Sequence, residues 1–201
     1  MYFINIFLMF MIYSIFGYFY EILVILCFEK KIEIKRGFLL GPYIPIYGFG
    51  MMFMTLFLFP LKDNIIMLFL ASLVSAGILE YMTSYVMEKI YGYRWWDYSD
   101  DPFNINGRIT LSILILFGIG GILVVNYIAP FITNLLNNIN NTTLFISALI
   151  LGIIILTDLY LSTYISFKIK ANVLKKACKD STKFIKEETY NYIKKVLKNK
   201  S

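Results

Sequence analysis

Histidine is absent from all 201 residues, and cysteine occurs only twice. Without imidazole, His-based acid–base catalysis, His-dependent triads and the usual His-containing zinc and haem sites are excluded. Cys27, in an apolar run, and Cys178, in a basic tail, make neither a CxxC pair nor a disulfide framework. The sequence has no GxxxxGKS/T phosphate loop, so this chain hydrolyses ATP only through a separate subunit. Charge is scarce as well, at 16% of residues against about 25% in a typical soluble domain.

Apolar residues take up the difference. They make up 59% of the chain, aromatics alone 18%, and the mean hydropathy is +0.68. The surplus is gathered into runs of about 20 residues, the length that spans a hydrocarbon core of about 30 Å as a helix. This excludes a soluble enzyme. The fold class expected is all-α: a polytopic transmembrane helix bundle with a basic, cytoplasmic C-terminal helix. Five spans are predicted, near residues 3–28, 43–61, 65–90, 109–128 and 144–167. The second is broken near Pro45 and Gly48, so part of GPYIPIYG enters as irregular backbone, which is tolerated only where protein or a wet cavity surrounds it. The first run has no basic segment before it and no small-x-small cleavage site after it, and reads as a retained helix.

Charge then orients the spans. Of the 19 Lys and Arg, 18 fall after the first, third and fifth spans and only Lys62 falls on the other side. By the positive-inside rule the N-terminus is outside and the C-terminus cytoplasmic, in a bacterial cell membrane. Residues 1–168 form the transmembrane domain. Residues 169–201 form a basic amphipathic tail suited to anionic inner-leaflet lipid, with no case for nucleic acid.

Three spans carry an acid in their interior: Glu21, Glu80 and Asp158. Each lies roughly 10–15 Å from the cytoplasmic end of its helix, so the three are expected in one layer. Ser72, Ala76, Glu80, Ser84 and Glu88 recur at steps of four, as do Asp158, Ser162 and Ser166, so both faces are expected inward. Arg36, Arg94 and Arg108 at the inner ends are the natural partners of the acids. Two readings stay open: pairs that only fasten the bundle, or a cytoplasm-facing polar cavity for an ion, a proton or a head group, with Glu21, Glu80, Asp158, Arg36 and Arg108 as its candidates. In the loop after the third span, Trp95 and Trp96 with Tyr91, Tyr93 and Tyr98 suit the membrane interface. Asp97, Asp100 and Asp101 lie together there but lack the second acidic cluster that diphosphate-binding metal sites use, and no metal or cofactor is assigned.

GYFYE (17–21), RGFLLGPYIPIYGFG (36–50), EYMTSYVMEK (80–89) and RWWDYSDDPFNINGRI (94–109) occur in this order and together resemble the CmpB-type family named Putative ABC-transporter type IV. The resemblance implies a bacterial integral membrane protein, often labelled a permease. On this sequence its motif residues are Glu21, Arg36, Gly37, Gly41, Pro42, Pro45, Gly48, Glu80, Glu88, Trp95, Trp96, Asp97, Gly107 and Arg108. The reading is a permease-like transport component, self-associated as a homo-oligomer or paired with an ATPase subunit. The alternatives are a membrane enzyme acting on a lipid or lipid-linked substrate, which the residue types favour less, and a structural or regulatory membrane protein.

Overall fold

The computed structural model describes residues 1–29 and 37–198, with side chains described at 1–23, 26 and 37–174. Helix α1 (Tyr2–Glu29) contains no proline and is apolar on every side. An irregular stretch then leads to α2 (Pro45–Phe53), which starts at Pro45 because its fixed φ and missing N–H suit the first helical position. The irregular backbone of the second span therefore ends at Ile44, and Gly48 lies inside α2 without interrupting it. What Gly48 does is admit α1, since a Cβ there would overlap Ser14 Oγ and the Phe10 ring. Tyr13 and Thr55 hydroxyls meet at 3.0 Å and the Ile44 amide donates to Ser14 O at 2.9 Å, and with Gly17 against Tyr47 and Phe10 against Gly48, α2 runs antiparallel to α1.

Past Phe53 the chain takes a π-helical turn (Met54–Leu58) and a 3₁₀ turn (Phe59–Leu61). Pro60 accounts for both, because it cannot donate to the Leu56 carbonyl and its ring would strike it. The same device recurs later. Helix α4 (Leu111–Leu123) passes through a π-helical turn (Val124–Ile128) into α5 (Ala129–Asn137), and Pro130 stands two residues after that turn as Pro60 does after the first. The helical path consequently continues beyond Ile128 to Asn137, leaving three residues before α6 (Asn141–Lys198).

Between these elements lies α3 (Ile65–Tyr91), capped by Asn64 Oδ1 on the Met67 amide and closed by Gly92 in the left-handed region. A two-residue hairpin, β1 (Asn104–Ile105) with β2 (Ile109–Thr110), joins it to α4. Helices α3 and α4 approach through small residues: Gly118 admits the Phe69 ring and Gly121 admits Ser72. Ser72, Ala76 and Ser84 are buried, as the four-residue stripe requires. Four helical stretches are long and apolar enough to cross a membrane, Tyr2–Leu23, Ile65–Tyr91, Leu111–Asn137 and Asn141–Leu174, while Pro45–Leu61 is shorter. The chain divides into two compact units, Met1–Ser162 and Thr163–Ser201. All contacts described below belong to the first.

Placing a side chain at Gly48 should overpack the seam between α1 and α2. Gly48→Val is expected to destabilise the protein by about 1–3 kcal/mol, whereas Gly120→Ala, where a Cβ meets nothing within 4 Å, should stay within about 0.5 kcal/mol of the parent. Thermal unfolding of the two variants in the same detergent distinguishes the sites.

Candidate functional site

The turn before α2 is built on Asp158. The Leu40 amide donates to Oδ1 at 2.9 Å, the Gly41 amide to Oδ2 at 2.8 Å, and the Tyr43 hydroxyl to Oδ2 at 2.6 Å. Ser162, one turn along α6, completes the set with a 2.8 Å bond to Oδ1. Four donors fill the roughly four lone-pair positions of a carboxylate. Asp158 is thus saturated by the chain, buried at 8% exposure, and holds backbone in place. Gly41 is required beside it because a Cβ would enter the Tyr43 ring, and Gly37 takes φ +133° at the start of the turn. Pro42 is exposed in this turn, and Arg36 lies outside the described residues.

One turn beyond Tyr43, Tyr47 occupies the space that Gly17 leaves empty on α1. Its hydroxyl donates to Glu21 Oε2 at 2.5 Å. Its ring stands 5.9 Å from Tyr20 and 6.4 Å from Phe117, edge-on in both cases. Behind it a cavity of about 270 Å³ is enclosed by α1, α2, α3 and α4. Its walls are apolar except for Tyr20, Tyr47 and Glu80. Glu80 is half-buried, interacts electrostatically with Glu21 and, among the described residues, has no hydrogen bond. Glu21 and Glu80 therefore come together around Tyr47, while Asp158 has a separate set of partners. The cavity is far less polar than the three acids alone suggest.

The arginines go elsewhere. Arg108, 7% exposed, pairs with Glu88 Oε2, donates to Ser84 Oγ at 3.1 Å and lies 5.6 and 5.3 Å from the Tyr81 and Tyr85 ring centroids. Arg94 Nε reaches the other oxygen of Glu88 at 3.1 Å. Neither pairs with an intramembrane acid, because Glu88 sits one or two helical turns closer to their loop. Trp96 Nε1 donates to the Arg108 carbonyl at 3.1 Å, and Trp95 packs with Phe38, Tyr91 and Tyr93. Asp97 Oδ1 accepts from the Ser99 hydroxyl at 2.5 Å and amide at 3.0 Å and lies 3.6 Å from Arg94 Nη1. The hydroxyl bond first and the amide bond second hold its carboxyl below the usual carboxylate range. Gly107, at φ +67°, is packed against Ser99 and Asp97, where a Cβ has no room. The loop cluster is internally satisfied and serves the α3–α4 connection.

Tyr43, Tyr47, Tyr20 and Phe117 are the participants that composition and spacing did not single out. A signal for two of them existed, since Tyr43 and Tyr47 are four apart and flank the helix start at Pro45.

A family model described as Putative ABC-transporter type IV matches residues 8–163, which includes the Asp158 anchor as well as the loop motifs. No curated protein and no solved structure matches the chain.

Two outcomes follow from this geometry. Asp158→Ala leaves two amides and a tyrosine hydroxyl without their acceptor and should cost about 2–5 kcal/mol in denaturant unfolding, with Asp158→Asn intermediate. Asp97, whose carboxyl is depressed in the folded loop, contributes stability that is complete above its unfolded value of about 3.9 and is lost as pH falls through the folded value. The stability difference between the parent and Asp97→Asn should therefore be constant above about pH 5 and shrink below about pH 4. A difference that shrinks between pH 5 and 7 would contradict the assignment.

Proposed function

The chain belongs to the Putative ABC-transporter type IV family, and from that premise we propose that it is a permease-like transport component whose pathway runs through the Glu21–Tyr47–Glu80 cavity. One contrast carries this reading. Asp158 is saturated by four donors, and Glu88 is bound by two arginines, yet Glu80 faces a cavity with no hydrogen bond among the described residues. Structural acids inside membranes are paired, and an unpaired one beside a void marks a pathway.

The supporting features agree with one orientation. Basic residues gather after the first, third and last spans, which favours an outside N-terminus and a cytoplasmic C-terminus in a bacterial cell membrane. Glu21 and Glu80 lie in the C-terminal parts of α1 and α3, so the cavity is proposed to open toward the cytoplasmic half. The lysines of the tail favour contact with anionic lipid. Because the sequence has no P-loop, ATP coupling requires a separate ATPase, for which the cytoplasmic loops are the proposed contact.

Purification from native membranes in mild detergent should recover a stoichiometric ATPase with the tagged chain, and repeated recovery without one would remove the ATP-coupled reading. Glu80→Gln is expected to reduce transport by about tenfold or more at unchanged protein level. Transport that survives both Glu80→Gln and Glu21→Gln would show that the pathway lies elsewhere.

A further inference from the structure

A carboxylate held against hydrocarbon loses its hydration and recovers that cost by taking up a proton or when a cation reaches it. Among the described residues of Met1–Ser162, no cation reaches Glu80. Arg94 and Arg108 are committed to Glu88, Lys62 lies over the Phe59 ring and Lys89 over the Tyr85 ring. Glu21, which accepts the Tyr47 hydroxyl, lies near enough to interact with Glu80. The cavity that Glu80 lines also offers the rings of Tyr20, Tyr47 and Phe117 together with the aliphatic side chains of Leu79 and Val124. A carboxylate bordered by aromatic rings is the combination that recognises organic ammonium groups. Small inorganic cations fit poorly here, since they need several oxygen ligands and the walls supply few.

The entrance specifies the rest of the ligand. Phe16, Ile119 and Leu123 at the rim are 49%, 47% and 49% exposed, so the approach is apolar and lies on the outer surface of helices long and apolar enough to cross a membrane. A ligand that arrives this way partitions into the membrane first. We propose that the cavity binds an amphipathic organic ammonium, its nitrogen against Glu80 and its apolar body against Phe117, Leu79 and Val124, and that such cations are the substrate class of the protein. The second half of this statement rests on the transport reading above. The binding half stands by itself.

The test uses the full chain in dodecyl maltoside, titrated with benzyltrimethylammonium and, as a ring of similar size and opposite charge, benzenesulfonate. Saturation-transfer NMR should show saturable binding of the cation and none of the anion. Glu80→Gln should weaken the cation by about tenfold or more. Gly120→Leu places a side chain in the cavity from a position where a Cβ meets nothing within 4 Å, and should abolish binding with the unfolding temperature unchanged. This variant keeps the proposal testable if Glu80→Gln fails to fold. Equal binding of the anion, or cation binding untouched by Glu80→Gln or by Gly120→Leu, overturns the site. Added phosphatidylethanolamine that displaces the probe identifies a lipid ammonium as the source, and no displacement identifies a free amphipathic cation. If binding holds but cells with and without the gene accumulate the cation equally, the substrate assignment fails and the site remains.

Discussion

The Asp158 carboxylate is the constraint on which the rest of the arrangement depends. It gathers two backbone amides and the Tyr43 hydroxyl from a turn that has no regular hydrogen bonding of its own, and it does so from a helix more than 100 residues away in sequence. Inside a membrane such a turn has no water to satisfy its N–H groups, so a charged acceptor does the work that a helix ladder does elsewhere. With residues 40–43 fixed, Pro45 begins α2 at a set height against α1, where Gly17 and Gly48 leave room for it. Tyr47 then comes within reach of Glu21, and the cavity beside Glu80 is closed on that side.

The three intramembrane acids and Glu88, nearer the loop, divide by what each has to hold. Asp158 is fully used by donors from the chain. Glu88 pairs with both Arg94 and Arg108 and fastens the hairpin loop to α3, with the Arg108 guanidinium near two tyrosine rings. Glu21 receives the Tyr47 hydroxyl. Glu80 alone of these four has no hydrogen bond among the described residues, and it is the one that lines the void. Paired charges of the first kind are neutral to the bundle when well made and costly when broken, which is why their partners sit so close. An unpaired acid is tolerated only when it takes up a proton or a cation meets it.

Much of this was legible in the amino acids because the membrane simplifies the problem. Long apolar runs can only be helices there, and steps of four among Ser72, Ala76, Glu80 and Ser84 mark the face that avoids lipid. The partners of the acids were less legible. Arginine is the strongest partner for a carboxylate in general, but Arg94 and Arg108 are tethered to a short loop and meet Glu88 before they can reach Glu80. Tyrosine and backbone amides took the remaining places, and a backbone donor leaves no trace in a sequence. The π-helical turns were likewise hidden, since proline inside an apolar run reads as a break. Pro60 and Pro130 instead each follow, by two residues, a widened turn that lets the helical path continue. Most of the glycines in the motifs that carry the family resemblance prove to be points of close approach, Gly41 for Tyr43, Gly48 for α1, Gly107 for the Asp97 loop.

Whether Glu80 presents its charge to an accessible cavity is measured directly by thiol chemistry. In a chain with Cys27 and Cys178 replaced by Ser, a cysteine introduced at Gly120 lies on the cavity wall and one introduced at Ser112 lies on the exposed surface of α4. The rates of modification by a trimethylammonium methanethiosulfonate and by its sulfonate counterpart, each normalised to the Ser112 site, report the potential in the cavity. A marked preference for the cationic reagent at Gly120 that disappears with Glu80→Gln is the predicted result. Equal normalised rates for the two reagents, or a preference indifferent to Glu80, would contradict the account.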